Sequence, residues 1–228
     1  MPNLESSIAS PALDFSEDDL MRLLSKVDPR AYLKPSYVGK RYPHIAAIPG
    51  RDDILLRWTT RMSGVFPDFP SQSELAEHLD TYERLLGSLA ASENIIVPVH
   101  SSFPLARCPR LGRPVIYTAV EHVSTQPLEH CGNPEIIAKT GHTLLKEARK
   151  PAPHIWDNTK IEQWGYDSTS ETAVALDLDT FVTTDPRRAT PGLIVWGRGI
   201  AEHDGGELYK QAKELHAAAS NAFGARQG

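Results

Sequence analysis

The feature that most constrains the fold is a strong helix signal that begins near residue 71, between two β-rich parts of the chain. Ser71 and Glu74 match the S-x-x-E capping box, in which each residue satisfies a backbone N–H group of the other. Apolar residues then recur at helical spacing along one face: Leu75, Leu79, Tyr82, Leu86 and Leu89. The sequence therefore predicts a firm helix over residues 72–89.

β-Rich runs lie on both sides of this helix. Within residues 36–62, the runs HIAAI and ILLRWTT are separated by PGRDD, whose turn-forming residues predict a hairpin. After the helix, NIIVPVHSS and RPVIYTAVEHV each predict a strand, and a loop containing Pro, Arg and Gly connects them.

Further elements are predicted towards both ends of the chain. Ser16 and Asp19 resemble a capping box that opens a first helix, and Asn133 caps a helix whose first residue is Pro134. LIVWG predicts a short strand or a buried loop, and GELYKQAKELHAAASNAF predicts a final helix. Because strands and helices are grouped rather than alternating, the fold class is predicted to be α+β.

The stretch STQPLEHCGN, residues 124–133, has few apolar residues and marks a natural boundary. We therefore expect an N-terminal lead and helix over residues 1–35 and a small β-rich unit over 36–123. Residues 124–228 are expected to form a second unit that carries an acidic hairpin.

Composition narrows the classes of partner. A net charge of -5 argues against a nucleic-acid surface, and no apolar stretch approaches the roughly 20 residues that a membrane span needs. The N-terminus is polar and acidic, unlike a signal peptide, and Cys108 and Cys131 cannot form a disulfide framework. A soluble protein of the reducing cytoplasm is the expectation.

The most distinctive stretch is HIWDNTKIEQWGYDSTSETAVALDLDTFV, residues 154–182. Asp157 lies in a loop-like run, and an apolar strand after a polar turn leads to Asp177 and Asp179. Carboxylates at both ends of a short hairpin could hold a cation and orient a hydroxyl group. The alternative interpretation is that these aspartates only cap turns and face water.

The order of elements from residue 36 to about residue 185 resembles the kinase-like fold of aminoglycoside phosphotransferases and choline kinases. DILLRWTT lies where that family carries its phosphate-pairing lysine, and VIYTAVEHV resembles the strand that runs into its hinge. HIWDNTKIEQ lies at its catalytic loop, and VALDLDTF resembles the strand that ends on its metal-binding aspartate. The resemblance implies a two-lobed α+β fold, with a small β-rich lobe that carries one long helix and a reduced helical large lobe.

The resemblance also implies a reaction, in which phosphate passes from ATP to a small-molecule acceptor with the help of Mg²⁺. Asp157 would be the catalytic base. The metal ligands would be Asp177, Asp179 and Glu162. The nucleotide side would be bound by Arg57 and Glu74 as an ion pair and by Thr118, Glu121 and Val123 around the adenine.

Departures from the family pattern leave two other functions open. Arg57 replaces the family's lysine, Glu162 stands where the family has a metal-binding asparagine, and Gly39 is solitary rather than part of a glycine-rich loop. A catalytically inactive kinase-like module that binds a protein partner or a nucleotide is one alternative. An unrelated soluble α+β domain without enzyme activity is the other. Both residues of the expected ion pair also have a purely structural interpretation. In it, Arg57 is an exposed strand residue and Glu74 is a member of the capping box.

Overall fold

The computed structural model describes residues 13–26, 45–59, 71–108, 114–155, 159–176 and 182–225. Its strands are β1 (Ile45–Ile48), β2 (Arg51–Thr59), β3 (Ile95–Ile96), β4 (His100–Leu105), β5 (Val115–Glu121), β6 (Gln126–Pro127), β7 (His154–Ile155), β8 (Trp164–Asp167), β9 (Thr172–Ala175) and β10 (Val182–Thr183). Its helices are α1 (Glu17–Lys26), α2 (Gln72–Ala90), α3 (Pro134–Ala148), α4 (Pro186–Ala189), α5 (Pro191–Gly199), α6 (Ala201–Asp204) and α7 (Glu207–Gly224). The protein is therefore mixed α+β, as predicted.

The first sheet is antiparallel, with the strand order β1-β2-β5-β4. The predicted β1–β2 hairpin is confirmed, and its turn includes Gly50 with a φ of +75°, a backbone conformation that favours glycine. In this sheet Arg57 lies opposite Thr118, and Ser102 lies opposite Thr118 on the other side. These three residues therefore form one row on one face of the sheet.

Helix α1 covers the opposite face of the first sheet. Its predicted capping box is confirmed, because the Ser16 amide donates to Asp19 Oδ2 at 3.0 Å and the Asp19 amide donates to Ser16 Oγ at 3.2 Å. Leu20 and Leu24 are fully buried on this face. They pack in a cluster that includes Phe15, Ile48, Ile54, Leu56, Leu105, Val115, Tyr117 and Ala119.

Helix α2 packs on the face that carries Arg57 and Thr118. Its predicted cap is also confirmed, since Ser71 Oγ accepts from the Glu74 amide at 3.2 Å. Leu75 of α2 and Ile116 of β5 are both completely buried against each other. The N-terminal half of α2 is thus packed against the first sheet.

The second sheet has the strand order β3-β9-β8-β6, and β3 pairs parallel to β9. NIIVPVHSS therefore does not form one strand, because Ile95–Ile96 belongs to this sheet and His100–Leu105 belongs to the first. Pro98 lies between them, and proline has no backbone N–H to donate to a sheet. The chain changes sheets at this interruption.

The second core lies below the second sheet, between the C-terminal half of α2 and the helices α3, α5 and α7. The prediction that LIVWG is a strand or loop is wrong, because it lies within α5. Pro191 occupies the start of that helix, and the buried residues Leu193, Trp196 and Gly197 follow helical spacing. A short apolar run does not separate these alternatives by itself.

The predicted helices α3 and α7 are confirmed. Asn133 Oδ1 accepts from the amides of Glu135 and Ile136 at 3.1 and 3.4 Å, and Pro134 is the first residue of α3. Trp164 of the hairpin meets Trp196 edge to face, with ring centroids 6.5 Å apart. Within the described ranges, every helix is too short or too polar to cross a membrane.

Candidate functional site

A cleft of about 280 Å³ opens between the first and second sheets. We call it the intersheet cleft. It is lined by Ile45, Leu55, Arg57, Pro98, Val120, Glu121, His122, Val123, Ser124, Thr125, Ala175 and Leu176. The two ends of the β5–β6 connection and the end of strand β9 therefore meet at one concave surface.

Arg57 crosses this cleft. It lies in the interior strand β2, opposite Ile45 of β1 and Thr118 of β5, and only 3% of its surface is exposed. Its Nη1 donates to the carbonyl oxygen of Leu176 at 3.1 Å, on the other side of the cleft. The interpretation of Arg57 as an exposed strand residue is therefore wrong, and a permanently charged guanidinium is held between the two sheets.

Three of the nucleotide-side residues predicted from the sequence lie at or beside Arg57. Glu121 and Val123 line the intersheet cleft. Thr118 is paired with Arg57 across the sheet but is buried, and its Oγ1 lies 3.4 Å from Ser102 Oγ. The structure thus brings Arg57, Glu121 and Val123 together, with Thr118 next to Arg57 and outside the cleft lining.

The connection that follows β5 lines the cleft. The His122 amide donates to Asp53 O at 2.6 Å, which continues the β2–β5 pairing by one residue. Beyond it, no hydrogen bond of Val123 or Ser124 to any other residue is found in the part of the chain that the structure describes.

Asp157, Asp177 and Asp179 lie outside the described residues, but the strands that flank them are paired. β7 ends at Ile155, β10 begins at Val182, and these two residues are opposite each other in an antiparallel pair. The described part of the hairpin ends at Leu176, which lines the intersheet cleft. The flanks of both acidic segments are thereby fixed in the fold.

Glu162 is exposed on a short 3₁₀ turn, Ile161–Gln163, just before β8. The next residue, Gln163, accepts the Leu176 amide on its carbonyl oxygen at 3.0 Å. This bond extends the hairpin pairing beyond Trp164 and Ala175 and brings the turn beside the end of β9. Among the described residues, no group of three or more His, Cys, Asp or Glu side chains could hold a metal ion.

Glu74, the predicted partner of Arg57, has a different environment. It is exposed in the first turn of α2, and its Oε2 accepts from Ser71 Oγ at 2.5 Å. Both its amide and its carboxylate therefore belong to the capping box, which was the alternative interpretation.

Glu83 is the acid of α2 that faces the same row as Arg57, and the sequence reasoning missed it. Its carboxylate accepts from Ser102 Oγ at 2.7 Å and lies 2.8 Å from His100 Nε2. Its position in the sequence indicates this orientation, because Glu83 lies four residues after Leu79 and so falls within the apolar stripe of the helix. Burying a carboxylate in that stripe costs free energy unless hydrogen bonds or an ion pair stabilise it.

The Glu83–His100 pair is electrostatically coupled. Burial by itself would raise the pKa of Glu83, but hydrogen bonds from His100 and Ser102 outweigh burial and hold this pKa below its ordinary value of 4.5. Burial would likewise lower the pKa of His100, whereas the Glu83 carboxylate raises it above 6.5. The His100 Nδ1 lies 3.0 Å from Pro98 O, so both ring nitrogens face acceptors and the imidazolium form is favoured.

No protein-family model matches the chain, and neither a curated protein nor a solved structure matches it.

Proposed function

We propose that this protein is a kinase-like phosphotransferase that binds Mg·ATP in the intersheet cleft and transfers phosphate to a small-molecule acceptor. The observation that carries the proposal is the buried guanidinium of Arg57, which reaches across the cleft to the carbonyl of Leu176, directly before Asp177. A fixed cation beside the segment that carries Asp177 is suited to binding phosphates.

The arrangement of elements supports this proposal. An antiparallel sheet carries one long helix, α2, and strand β5 leads into the connection that borders the cleft. Helix α3 follows, then β7, the hairpin β8–β9 and β10. The resemblance stated for the sequence implies this order, with the small β-rich lobe first and the acidic hairpin in the second lobe.

Chain connectivity supports bringing the aspartates to the same place. Consecutive Cα atoms are about 3.8 Å apart, so Asp177 is about one such step from Leu176 and Asp157 at most about two steps from Ile155. Because Ile155 is paired with Val182, the chain enters residues 156–158 and leaves residues 177–181 at neighbouring positions. In this proposal Asp157 orients or deprotonates the acceptor hydroxyl group.

Asp177 would hold the metal, with Asp179 and Glu162 as further oxygen donors. Oxygen ligands of this kind suit Mg²⁺, which when bound would neutralise charge on the transferred phosphate. Arg57 would bind phosphate oxygens, and the main-chain groups of Val123 would hydrogen-bond with the adenine edge. Glu121 and the buried Thr118 would support that end of the cleft.

A second candidate is a kinase-like module that binds a nucleotide without turnover. The hydrogen bond from Arg57 to a main-chain carbonyl favours it, because a guanidinium that links the two sheets has fewer donors left for phosphate. The glutamate at position 162, where the family has a metal-binding asparagine, favours it as well.

Thermal denaturation with Mg·ATP tests nucleotide binding. Nucleotide at about 100 times its dissociation constant stabilises the native state by about 2.7 kcal/mol, or about 5–11 °C for a chain of this length. We expect Arg57→Met to remove most of the shift. The matched control Asp18→Asn changes an exposed residue of α1 and should keep it. No shift at millimolar Mg·ATP would contradict both candidates and favour an unrelated non-enzyme domain.

Turnover separates the two candidates. ATP consumption should fall at least about 100-fold in Asp157→Asn, the scale expected for loss of a general base, while the Mg·ATP shift is retained. Asp177→Asn should lower both turnover and the Mg²⁺ dependence of binding. A wild-type protein that binds Mg·ATP but consumes none with a panel of hydroxyl-bearing acceptors would support the binding module instead.

A further inference from the structure

A second cavity, of about 340 Å³, lies between helices α2 and α3. We call it the α2–α3 cavity. Its walls are Thr81, Arg84, Leu85, Ser88 and Leu89 of α2, Leu144, Glu147 and Ala148 of α3, and Lys150, Pro151, Ala152, Pro153, His154, Thr159 and Ala189. It shares no lining residue with the intersheet cleft, and its volume falls in the range of small-molecule pockets.

His154 contributes a hydrogen-bonding side chain to the wall of this cavity. Its surface is only 6% exposed, and it lines the cavity. Across the residues that the structure describes, its imidazole makes no hydrogen bond, although its backbone is paired with Thr183. The ring of a largely buried side chain is thus left without a protein hydrogen bond, and a ligand atom in the cavity would supply one.

Burial lowers the pKa of His154, against a smaller opposing effect of Glu147, so the neutral form of the imidazole is favoured. A neutral imidazole has one nitrogen that donates and one that accepts. The side chain can therefore hydrogen-bond with an N–H or O–H group of an uncharged molecule without an ionic partner.

The charged groups of the wall already have partners, and Arg84 forms an ion pair with Asp80, outside the wall, at 3.3 Å. Glu147 accepts from Ser88 Oγ at 3.0 Å and forms an ion pair with Lys150 at 2.6 Å, and Lys150 Nζ also donates to Ser88 Oγ at 2.8 Å. A ligand therefore does not need a charge of its own. Much of the remaining wall is aliphatic and proline surface, which suits an apolar molecule.

We propose that the α2–α3 cavity is a binding site for an uncharged aromatic or alicyclic small molecule with one N–H or O–H group that hydrogen-bonds to His154. Such a molecule would contact α2, α3 and β7 together. The site depends on the cavity and on His154, and it stands apart from the nucleotide proposed for the intersheet cleft.

Indole and indene make a matched pair of probes, since they have nearly the same shape and only indole carries an N–H donor. Binding is measured by NMR titration of the wild-type chain without nucleotide, so the outcome is independent of phosphotransfer. We expect saturable indole binding with a dissociation constant of about 1 mM or lower and indene binding about fivefold weaker, the difference corresponding to one hydrogen bond.

The variant His154→Phe should remove the preference for indole over indene. His130→Phe is its control, because His130 is exposed and does not line the cavity. In the wild type, indole should also shift the ring ¹⁵N signals of His154, a readout that remains should His154→Phe fail to fold. Equal binding of both probes, no saturable binding, or unchanged His154 ring signals under saturating indole would overturn the proposal.

Discussion

The Glu83–His100 pair predicts a pH-dependent stabilisation of the contact between α2 and β4. The perturbation is a double-mutant cycle with Glu83→Gln, His100→Leu and the combined variant. The Glu83 pKa is lowered in the folded state, so its contribution is present above its unfolded pKa and is lost as pH falls through the folded value. The His100 pKa is raised, so its contribution is complete below about 6.5 and is lost as pH rises through the folded value. Both contributions are therefore complete between about pH 5 and pH 6.

The geometry sets the size of the effect. The Nε2–Oε2 distance of 2.8 Å is that of a charge-assisted hydrogen bond, which contributes about 1.5–3 kcal/mol when well buried. The side chain of His100 is 14% exposed but that of Glu83 is 39% exposed, so solvent screening reduces the expected coupling to about 1–1.5 kcal/mol. Once His100 is neutral, an ordinary hydrogen bond of about 0.5–1 kcal/mol remains.

Urea unfolding of the four proteins at pH 5.5 and pH 8.5 measures the coupling free energy directly. We expect about 1–1.5 kcal/mol at pH 5.5 and a clearly smaller value at pH 8.5. A coupling that is absent at pH 5.5, or larger at pH 8.5, would refute the assignment of a charged pair.

The remaining predictions concern helix packing and capping, and thermal denaturation checks each of them. In Gly197→Ala the new methyl group would lie 2.7 Å from Tyr209 Cα, so the variant should lose about 1–3 kcal/mol, whereas Gly199→Ala meets nothing within 4 Å and should be neutral or slightly stabilising. Equal melting temperatures for these two variants would contradict the close contact of α5 with α7. Ser71→Ala should cost about 1 kcal/mol, because the Glu74 amide loses its acceptor; an unchanged stability would mean that the cap is dispensable.

Helix starts were predictable because their chemistry is local. Ser71 and Asn133 cap helices at the positions that their neighbours in the sequence indicate, and both hydrogen-bond as a cap should. The β1–β2 hairpin was predictable for the same reason, since PGRDD contains the glycine that the turn requires. These elements specify themselves within a few residues.

The assignment of short apolar runs to strand or helix was not predictable in this way. LIVWG became helical because Leu193 and Trp196 are buried against α3 and α7, an environment that the five letters do not contain. The two halves of NIIVPVHSS belong to different sheets, because the first half pairs with β9 and the second half pairs with β5. Both outcomes depend on residues far away in the sequence.

The candidate site likewise contains residues that were predicted from the sequence and one that was missed. Arg57, Glu121 and Val123 were predicted from the resemblance to the kinase-like fold, and they do meet at the intersheet cleft. Glu83 was missed because a single carboxylate in an apolar stripe is recognised only when its partners are known, and His100 lies 17 residues further along the chain.

The parallel pairing of β3 with β9 has a consequence for dividing the gene. Ile95 and Ile96 lie in the N-terminal half of the sequence, yet Ala173 and Val174, the residues opposite them in the ladder, lie in the C-terminal half. A fragment cut near residue 124 would keep one side of this ladder and expose an apolar edge able to recruit a strand from another molecule. Separate expression of the two halves is therefore expected to give aggregates, and their co-expression a complemented whole.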